Sequence, residues 1–246
     1  MLIPELEPQI AVLAQAYGRA NGPLMRLVNK LGGGVEAQMA LLPAALRDRI
    51  ERVVEQALTV AHGMAAAGGA APDLGPRGST GFAILTGAAG GLAGLPGAVA
   101  ELPLTITVIL HAIRREAVAA GYDPARPEVR AACLQVFAAG APLAEDDGLN
   151  TAFLSARLTL TGPALQRLIA TVAPRLAAAM GQKLVAQAVP VLGALSGAAL
   201  NAAYITYFRD MARIRFALLR LAETHGPEPV LTAFRTATEA PKLRHA

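Results

Sequence analysis

The sequence predicts an all-α fold, a compact single-domain helical bundle with Gly/Ala-rich core helices. Alanine contributes 54 of the 246 residues, and hydrophobic residues make up 54% of the chain. Alanine is the best helix former, and its small side chain lets helices pack closely. Aromatic residues amount to only 4% of the chain, which disfavours a β-sandwich. Two nearly uncharged stretches, Ser79–Leu110 and Leu184–Phe208, are the predicted core helices.

Three elements follow one another in the N-terminal third. Prolines and glycines divide residues 1–45 into short helices that we expect to pack on the core. Leu46–Ala67 has the periodicity of an amphipathic helix, with apolar side chains on one side and charged side chains on the other. Gly68–Gly78, rich in Gly, Pro and Ala, is predicted to be a loop.

The first uncharged stretch contains prolines that are expected to interrupt its helix. Ser79 or Thr80 is suited to cap the helix. We expect breaks near Pro96 and Pro103, because proline lacks an amide hydrogen and clashes inside a helix. A further helix is predicted from about Leu104 to Ala120.

Turn signals separate the helices of the second half. Gly121-Tyr122-Asp123-Pro124 has the composition of a helix C-cap and turn. The sequence shows no clear domain boundary. We therefore expect the N-terminal segment 1–45, the main helical part 46–225 and the C-terminal segment 226–246 to form one domain. The remaining predicted helices run from Pro127 to about Ala139, from Asp146 or Asp147 to about Leu160, from Gly162-Pro163 onward, from Pro190 to Glu223, and in a short stretch after Gly226-Pro227 before the basic tail Lys242–His245.

Neither uncharged stretch has the composition of a clean membrane span. Leu184–Phe208 would be about 38 Å long as a helix, which exceeds a hydrocarbon core of about 30 Å. Several polar residues dilute it, however, and Ser79–Leu110 contains Glu101. An acid at the membrane centre costs about 2.5–3.5 kcal/mol or more. We therefore expect both stretches to be buried against each other inside the domain.

The charge pattern fits a membrane surface better than a nucleic acid. The chain carries a net charge of +4, and the scarcity of aromatic residues disfavours base stacking. Arginines follow each uncharged stretch, and they either face an anionic lipid surface or form an ordinary solvated face. The first five residues lack the basic start of a secretory signal. We expect a cytoplasmic protein, at times on the inner face of the cell membrane. The proposed membrane-surface residues are Arg114, Arg115, Arg209 and Arg213.

No enzyme motif is complete, so no catalytic residue, metal ligand or cofactor is predicted. Ile84–Leu92 resembles the phosphate-binding turn of short-chain dehydrogenases, but Pro96 would disrupt the helix that must follow it. The histidines lack metal-ligand spacing. Cys133 lies in an apolar helical pattern, which favours a buried inert thiol over a reactive one. An unrecognised lipid-acting hydrolase remains an open alternative.

Several strings of residues together resemble the EcsC family of bacterial proteins, over about Leu46 to Arg220. The strings are Gly91-Leu92-Ala93-Gly94-Leu95-Pro96-Gly97, Ala100-Glu101-Leu102-Pro103-Leu104-Thr105, Gly121-Tyr122-Asp123-Pro124, Val136-Phe137-Ala138-Ala139-Gly140, Pro190-Val191-Leu192-Gly193-Ala194 and Gly197-Ala198-Ala199-Leu200-Asn201. The family takes its name from a protein encoded beside an ABC transporter. The resemblance therefore implies a membrane-linked accessory role. Two departures, Tyr207-Phe208 for His-Phe and Ile214-Arg215-Phe216 for Gly-His-Phe, weaken any histidine-based mechanism.

These observations predict a non-enzymatic protein that binds a lipid or another hydrophobic molecule between its Gly-rich helices. An interaction with a membrane transporter or secretion component, through an exposed apolar helix face, is the alternative. Glu101 is expected either to form a buried ion pair with Arg157 or to contact a ligand. Asn201 is expected either to bridge helices or to touch a polar head. The predicted ligand-binding residues are Glu101, Arg157, Asn201, Tyr204 and Phe208.

Overall fold

The predicted all-α fold is confirmed by the computed structural model of the chain. The structure describes residues 5–22, 43–66, 78, 81, 84–86, 94–139, 166–174, 176–177, 180 and 190–239, and every regular element in these ranges is helical. The predicted Asp146–Leu160 helix, the caps Ser79 and Thr80 and the Lys242–His245 tail lie outside them. The helices whose bounds the structure describes are α1 (Glu7–Ala20), α2 (Ala44–Ala66), α3 (Gly94–Ala119), α4 (Pro127–Ala139), α5 (Pro190–His225) and α6 (Pro227–Glu239). The described residues of 166–180 are also helical.

Helix α5 is the central element of the fold. Its 36 residues extend about 54 Å, and it packs against α1, α3, α4 and α6. Helix α2 packs on α3, and α1 packs on α6. The predicted mutual packing of the two uncharged stretches is therefore confirmed where the structure describes them, because α3 and α5 contain most of these residues.

Amphipathic sequence patterns explain how the outer helices α1, α2 and α6 pack on α3 and α5. Helices α1, α2 and α6 each turn a stripe of apolar residues inward, and most of their charged side chains are exposed. The rings of Tyr17 on α1 and Phe234 on α6 meet edge to face, with centroids 5.7 Å apart, which is a favoured aromatic geometry. The buried apolar residues of these helices include Ile10, Ile50, Val54, Leu58, Val230, Leu231 and Phe234.

Helix α3 continues through Pro103, so the expected break at this residue is wrong. A proline inside a helix costs about 3 kcal/mol. Pro103 is exposed, whereas Leu102 and Ile106 beside it are fully buried. Burial of each such side chain contributes about 1.5–3 kcal/mol, so packing on the inner side outweighs the lost backbone hydrogen bond. Pro96 lies in the first turn, where its missing amide has no partner within the helix.

The predicted turn after α3 is confirmed, and Gly121 determines its geometry. Gly121 has a φ of +87°, a conformation that glycine adopts without steric cost. The amide of Tyr122 donates to the carbonyl of Ala117 at 3.0 Å, and the amide of Gly121 donates to that of Val118 at 2.9 Å. This pair of bonds is a Schellman motif, which satisfies the last carbonyls of the helix. Gly226, with a φ of +85°, ends α5 in a related way.

One helix in the described part of the chain, Pro96–Ala119, is long and apolar enough to cross a membrane. Within its most apolar window, 56% of the residues are buried inside the protein. Leu104 and Val118 on the same helix are 41% and 53% exposed. The helix thus combines a core-facing side with apolar positions on the surface.

We expect Gly121→Ala to lower the free energy of unfolding more than Gly226→Ala. Both substitutions place an alanine at positive φ, which costs about 1–2 kcal/mol. A Cβ at Gly121 would also lie 2.9 Å from Nη1 of Arg220, whereas at Gly226 its nearest neighbour would be Cδ of Pro229 at 3.7 Å. Displacing Arg220 adds about 0.5–1.5 kcal/mol through a lost hydrogen bond. Urea unfolding of both variants measures the difference, and equal losses would contradict a role for Arg220.

Candidate functional site

A buried polar cluster joins α3 to α5. Glu101, Thr105 and Asn201 are 8%, 4% and 1% exposed. Oε1 of Glu101 accepts hydrogen bonds from Nδ2 of Asn201 at 2.5 Å and from Oγ1 of Thr105 at 2.7 Å. Nδ2 of Asn201 also lies 3.4 Å from Oγ1 of Thr86, which belongs to the short helical segment 84–86. The cluster therefore connects three parts of the chain.

Helical spacing positions these side chains. Glu101 and Thr105 are one turn apart on α3, so they share a side of the helix, and Asn201 faces them from α5. A buried carboxylate requires hydrogen-bond donors, and hydrogen bonds to a charged group are stronger than neutral ones. The structure thus brings together two of the predicted ligand-binding residues, Glu101 and Asn201. Arg157, the third predicted polar residue, lies outside the described residues.

Tyr204 and Phe208 follow Asn201 along the same side of α5, and both are fully buried. The ring of Phe208 lies 5.0 Å from that of Phe137 and 5.5 Å from that of Tyr207, centroid to centroid. Burial raises the pKa of the Tyr204 hydroxyl above its ordinary range. Both rings have the environment of core packing, and their predicted role as ligand lining stays a prediction.

Two of the predicted membrane-surface arginines lie beside acidic side chains. Nε of Arg213 donates to Oε2 of Glu116 at 3.2 Å, and this hydrogen bond raises the pKa of Arg213. Asp210 lies 3.9 Å from Nη1 of Arg213 and 3.8 Å from Nε of Arg209. These contacts offset part of the positive charge that the sequence presents at this position.

The other two predicted surface arginines, Arg114 and Arg115, are partly buried on α3. Arg114 lies close enough to Cys133 on α4 to act on its thiol electrostatically. Burial nevertheless dominates and raises the pKa of Cys133 to about 12, although the positive charge of Arg114 opposes the shift. The thiol is therefore protonated at neutral pH, in line with the predicted inert cysteine.

An apolar groove of about 570 Å³ lies between α1, α5 and the turn after α3. The sequence analysis does not predict it, because its two walls are about 200 residues apart in the chain. Among its lining residues, only one glutamine and one arginine are polar. The lining consists of Pro8, Gln9, Val12, Leu13, Ala120, Ala217, Arg220 and Leu221.

Arg220 is the charged residue of this groove, and the turn after α3 holds its guanidinium in place. Nη1 of Arg220 donates to the carbonyl oxygen of Ala120 at 3.2 Å. The absent side chain of Gly121 leaves room for this approach. Nearby, the hydroxyl of Tyr122 donates to Oε1 of Glu223 at 3.0 Å. Burial and this hydrogen bond raise the pKa of Tyr122, whereas the charge of Arg220 lowers it slightly.

Sequence reasoning also missed the buried position of Arg215. Its side chain is 0% exposed, and Nη1 donates to the carbonyl oxygen of Gln135 on α4 at 3.5 Å. The sequence analysis notes Arg215 only as a departure from the family pattern. No local signal marks its burial, because the residue that accepts its hydrogen bond lies 80 positions away.

We expect Thr105→Val to destabilise the protein by about 1–3 kcal/mol, because it removes a hydrogen bond to a buried carboxylate. Thr107→Val is the matched control on the same helix. The hydroxyl of Thr107 donates to the carbonyl of Pro103 at 2.8 Å in an exposed position, so its loss should cost less than about 0.5 kcal/mol. Urea unfolding compares the variants. Similar losses would show that the hydrogen bond from Thr105 to the buried Glu101 carboxylate does not contribute to stability.

Iodoacetamide should alkylate Cys133 roughly 10³-fold more slowly in the native protein at pH 8 than in urea, because an unfolded thiol has a pKa of about 8.5. The chain contains one cysteine, so mass spectrometry reads this site alone. The raised native pKa also stabilises the fold below about pH 8.5, and this contribution declines as the pH rises towards 12. Equal alkylation rates would contradict the buried position.

A family model for the EcsC protein family matches residues 76–221 of the chain. The resemblance found in the sequence runs from about Leu46 to Arg220. The range matched by the family model starts later in the chain and ends at nearly the same residue. It covers most of α3–α5, whereas α1, α2 and α6 lie outside it. Comparisons with curated proteins and with solved structures gave no significant match. The chain belongs to the EcsC protein family.

Proposed function

We propose that this protein binds a lipid or another hydrophobic small molecule without catalysing a reaction, in the cytoplasm or on the inner face of the cell membrane. The observation that carries the proposal is the apolar groove between α1 and α5. We place the apolar part of the ligand in this groove.

The size and lining of the groove support this role. Small-molecule sites typically have volumes of about 300–1,000 Å³ and a mainly apolar lining with few polar groups. The groove has about 570 Å³ of space, and six of its eight lining residues are apolar. Val12 is 62% exposed at this position. Covering apolar surface contributes roughly 25 cal/mol for each Å² removed from water, so an apolar ligand would be stabilised here.

Helix α1 contributes half of the lining, with Pro8, Gln9, Val12 and Leu13. It packs on α5 and α6 through its apolar side. Because a groove between packed helices keeps its shape only while both helices stay in place, ligand binding and the docking of α1 should support each other.

The Glu101 cluster supports the function in a different way. Its carboxylate accepts hydrogen bonds from Asn201 and Thr105 inside the protein. We therefore assign Glu101 and Asn201 to fastening α3 against α5. Tyr204 and Phe208 are assigned to packing beside them, and the ligand is assigned to the groove.

A second candidate function is interaction with a membrane transporter or secretion component through an exposed apolar helix face. The exposed side chains of Leu104 and Val118 on α3 favour it, because this helix also has the length and composition to contact lipid.

Native mass spectrometry of gently purified protein should detect a bound small molecule at close to one-to-one ratio. Ala217→Leu fills the groove and should weaken binding by about tenfold or more, which corresponds to about 1.4 kcal/mol. Ala199→Leu is the matched control, because Ala199 is exposed on the same helix and does not line the groove. Both variants should keep the wild-type melting temperature within a few degrees.

Two results would contradict the groove as the binding site. One is equal loss of ligand in both variants, and the other is full retention in Ala217→Leu. A protein that carries no small molecule yet floats with liposomes or captures a membrane protein would favour the second candidate function.

A further inference from the structure

We infer that the groove takes a single-chain amphiphile with a carboxylate head, the chemistry of a fatty acid, and that Arg220 binds the carboxylate. This inference rests on the proposed function and names the ligand class for the same groove.

The charge of the groove comes from one residue. Arg220 is the ionised side chain in its lining, and Gln9 is the other polar one. A wholly apolar ligand would gain no hydrogen bond or charge interaction from the exposed guanidinium of Arg220. An amphiphile with an anionic head supplies both the apolar chain and the missing charge.

The guanidinium of Arg220 has more N–H donors than the hydrogen bond to Ala120 uses. One N–H group donates to the carbonyl of Ala120. Arginine presents its remaining N–H groups as a planar fork. The acid nearest along α5, Glu223, accepts a hydrogen bond from the hydroxyl of Tyr122. Within the described ranges, Arg220 forms no ion pair with a carboxylate.

The guanidinium of one arginine can pair with one carboxylate in both hydrogen bonding and charge. A guanidinium and a carboxylate form two parallel hydrogen bonds, and their charges balance. A phosphate monoester carries about −1.5 to −2 charges near neutral pH, which a single arginine does not balance. The single positive charge of Arg220 therefore favours a carboxylate over a phosphate-monoester head.

The position of Arg220 gives the groove a solvent-exposed, charged part beside an apolar part. Arg220 is exposed, and the Ala120 carbonyl holds its guanidinium above the turn at Gly121. The apolar lining from Val12, Leu13 and Leu221 belongs to the same groove. A bound amphiphile can thus keep its head in contact with water while its chain covers apolar side chains.

Isothermal titration calorimetry with four C12 probes tests this inference. The probes are dodecanoate, dodecan-1-ol, dodecylammonium and dodecyl phosphate, each used below its aggregation concentration. Dodecanoate should bind about tenfold more tightly than dodecan-1-ol, as expected for an exposed charge-assisted contact. Dodecylammonium should bind more weakly than either. In Arg220→Gln, the ratio of dodecanoate to dodecan-1-ol affinity should fall to near one, and in Arg220→Lys it should be intermediate.

The outcomes separate this inference from the proposed function. If none of the probes binds the wild-type protein, the groove is not a binding site and both ideas fail. If dodecan-1-ol binds as tightly as dodecanoate, or if Arg220→Gln keeps the ratio of wild type, the inference fails while the proposed function stands. Tighter binding of dodecyl phosphate than of dodecanoate would overturn the carboxylate assignment. Retained affinity of Arg220→Gln for dodecan-1-ol shows that the groove keeps its shape, whereas an equal loss of dodecanoate and dodecan-1-ol binding would contradict a specific contact between Arg220 and the carboxylate.

Discussion

The contact between α3 and α5 is the constraint on which the rest of the structure depends. Both helices come from stretches with almost no charge, so packing against each other is the main way for them to leave water. Hydrophobic packing alone does not fix how the helices are rotated or aligned. The hydrogen bond from Asn201 to Glu101 supplies that specificity, because a carboxylate buried without donors would be strongly unfavourable. Thr105 donates to the same carboxylate from within α3. The arrangement of α4 and the aromatic core around Phe208 follows from it.

A second layer of helices creates the groove. Helices α1 and α6 pack on each other and on α5, and α1 leaves part of the α5 surface open beside the turn after α3. That turn contributes the carbonyl that holds Arg220, and Gly121 allows the close approach. The groove is therefore a consequence of how three separate parts of the chain meet, and its one charge lies where they meet.

The range matched by the family model includes one wall of the groove and leaves out the other. Residues 76–221 contain α3, α4, most of α5 and one wall of the groove, including Ala120, Ala217 and Arg220. The other wall, α1, lies outside the matched range. The contact between α3 and α5 and the groove residue Arg220 thus belong to the family region, whereas half of the lining residues of the groove come from the N-terminal helix α1. A difference in this helix would change the space for a ligand without altering the packing of α3 on α5.

The sequence by itself determined the helical class, most helix limits and the partnership of its two uncharged stretches. Local signals suffice for these features: the composition favours helices, the Gly121 turn requires positive φ, and uncharged helices must be buried. The sequence analysis also singled out Glu101 and Asn201, because isolated polar groups in apolar helices need partners. Only the tertiary structure decided that α3 continues through Pro103, since the buried side chains beside it outweigh a lost backbone hydrogen bond. The tertiary structure also decided the groove and the burial of Arg215, because these features depend on residues that lie far apart in the chain and meet only when the helices pack.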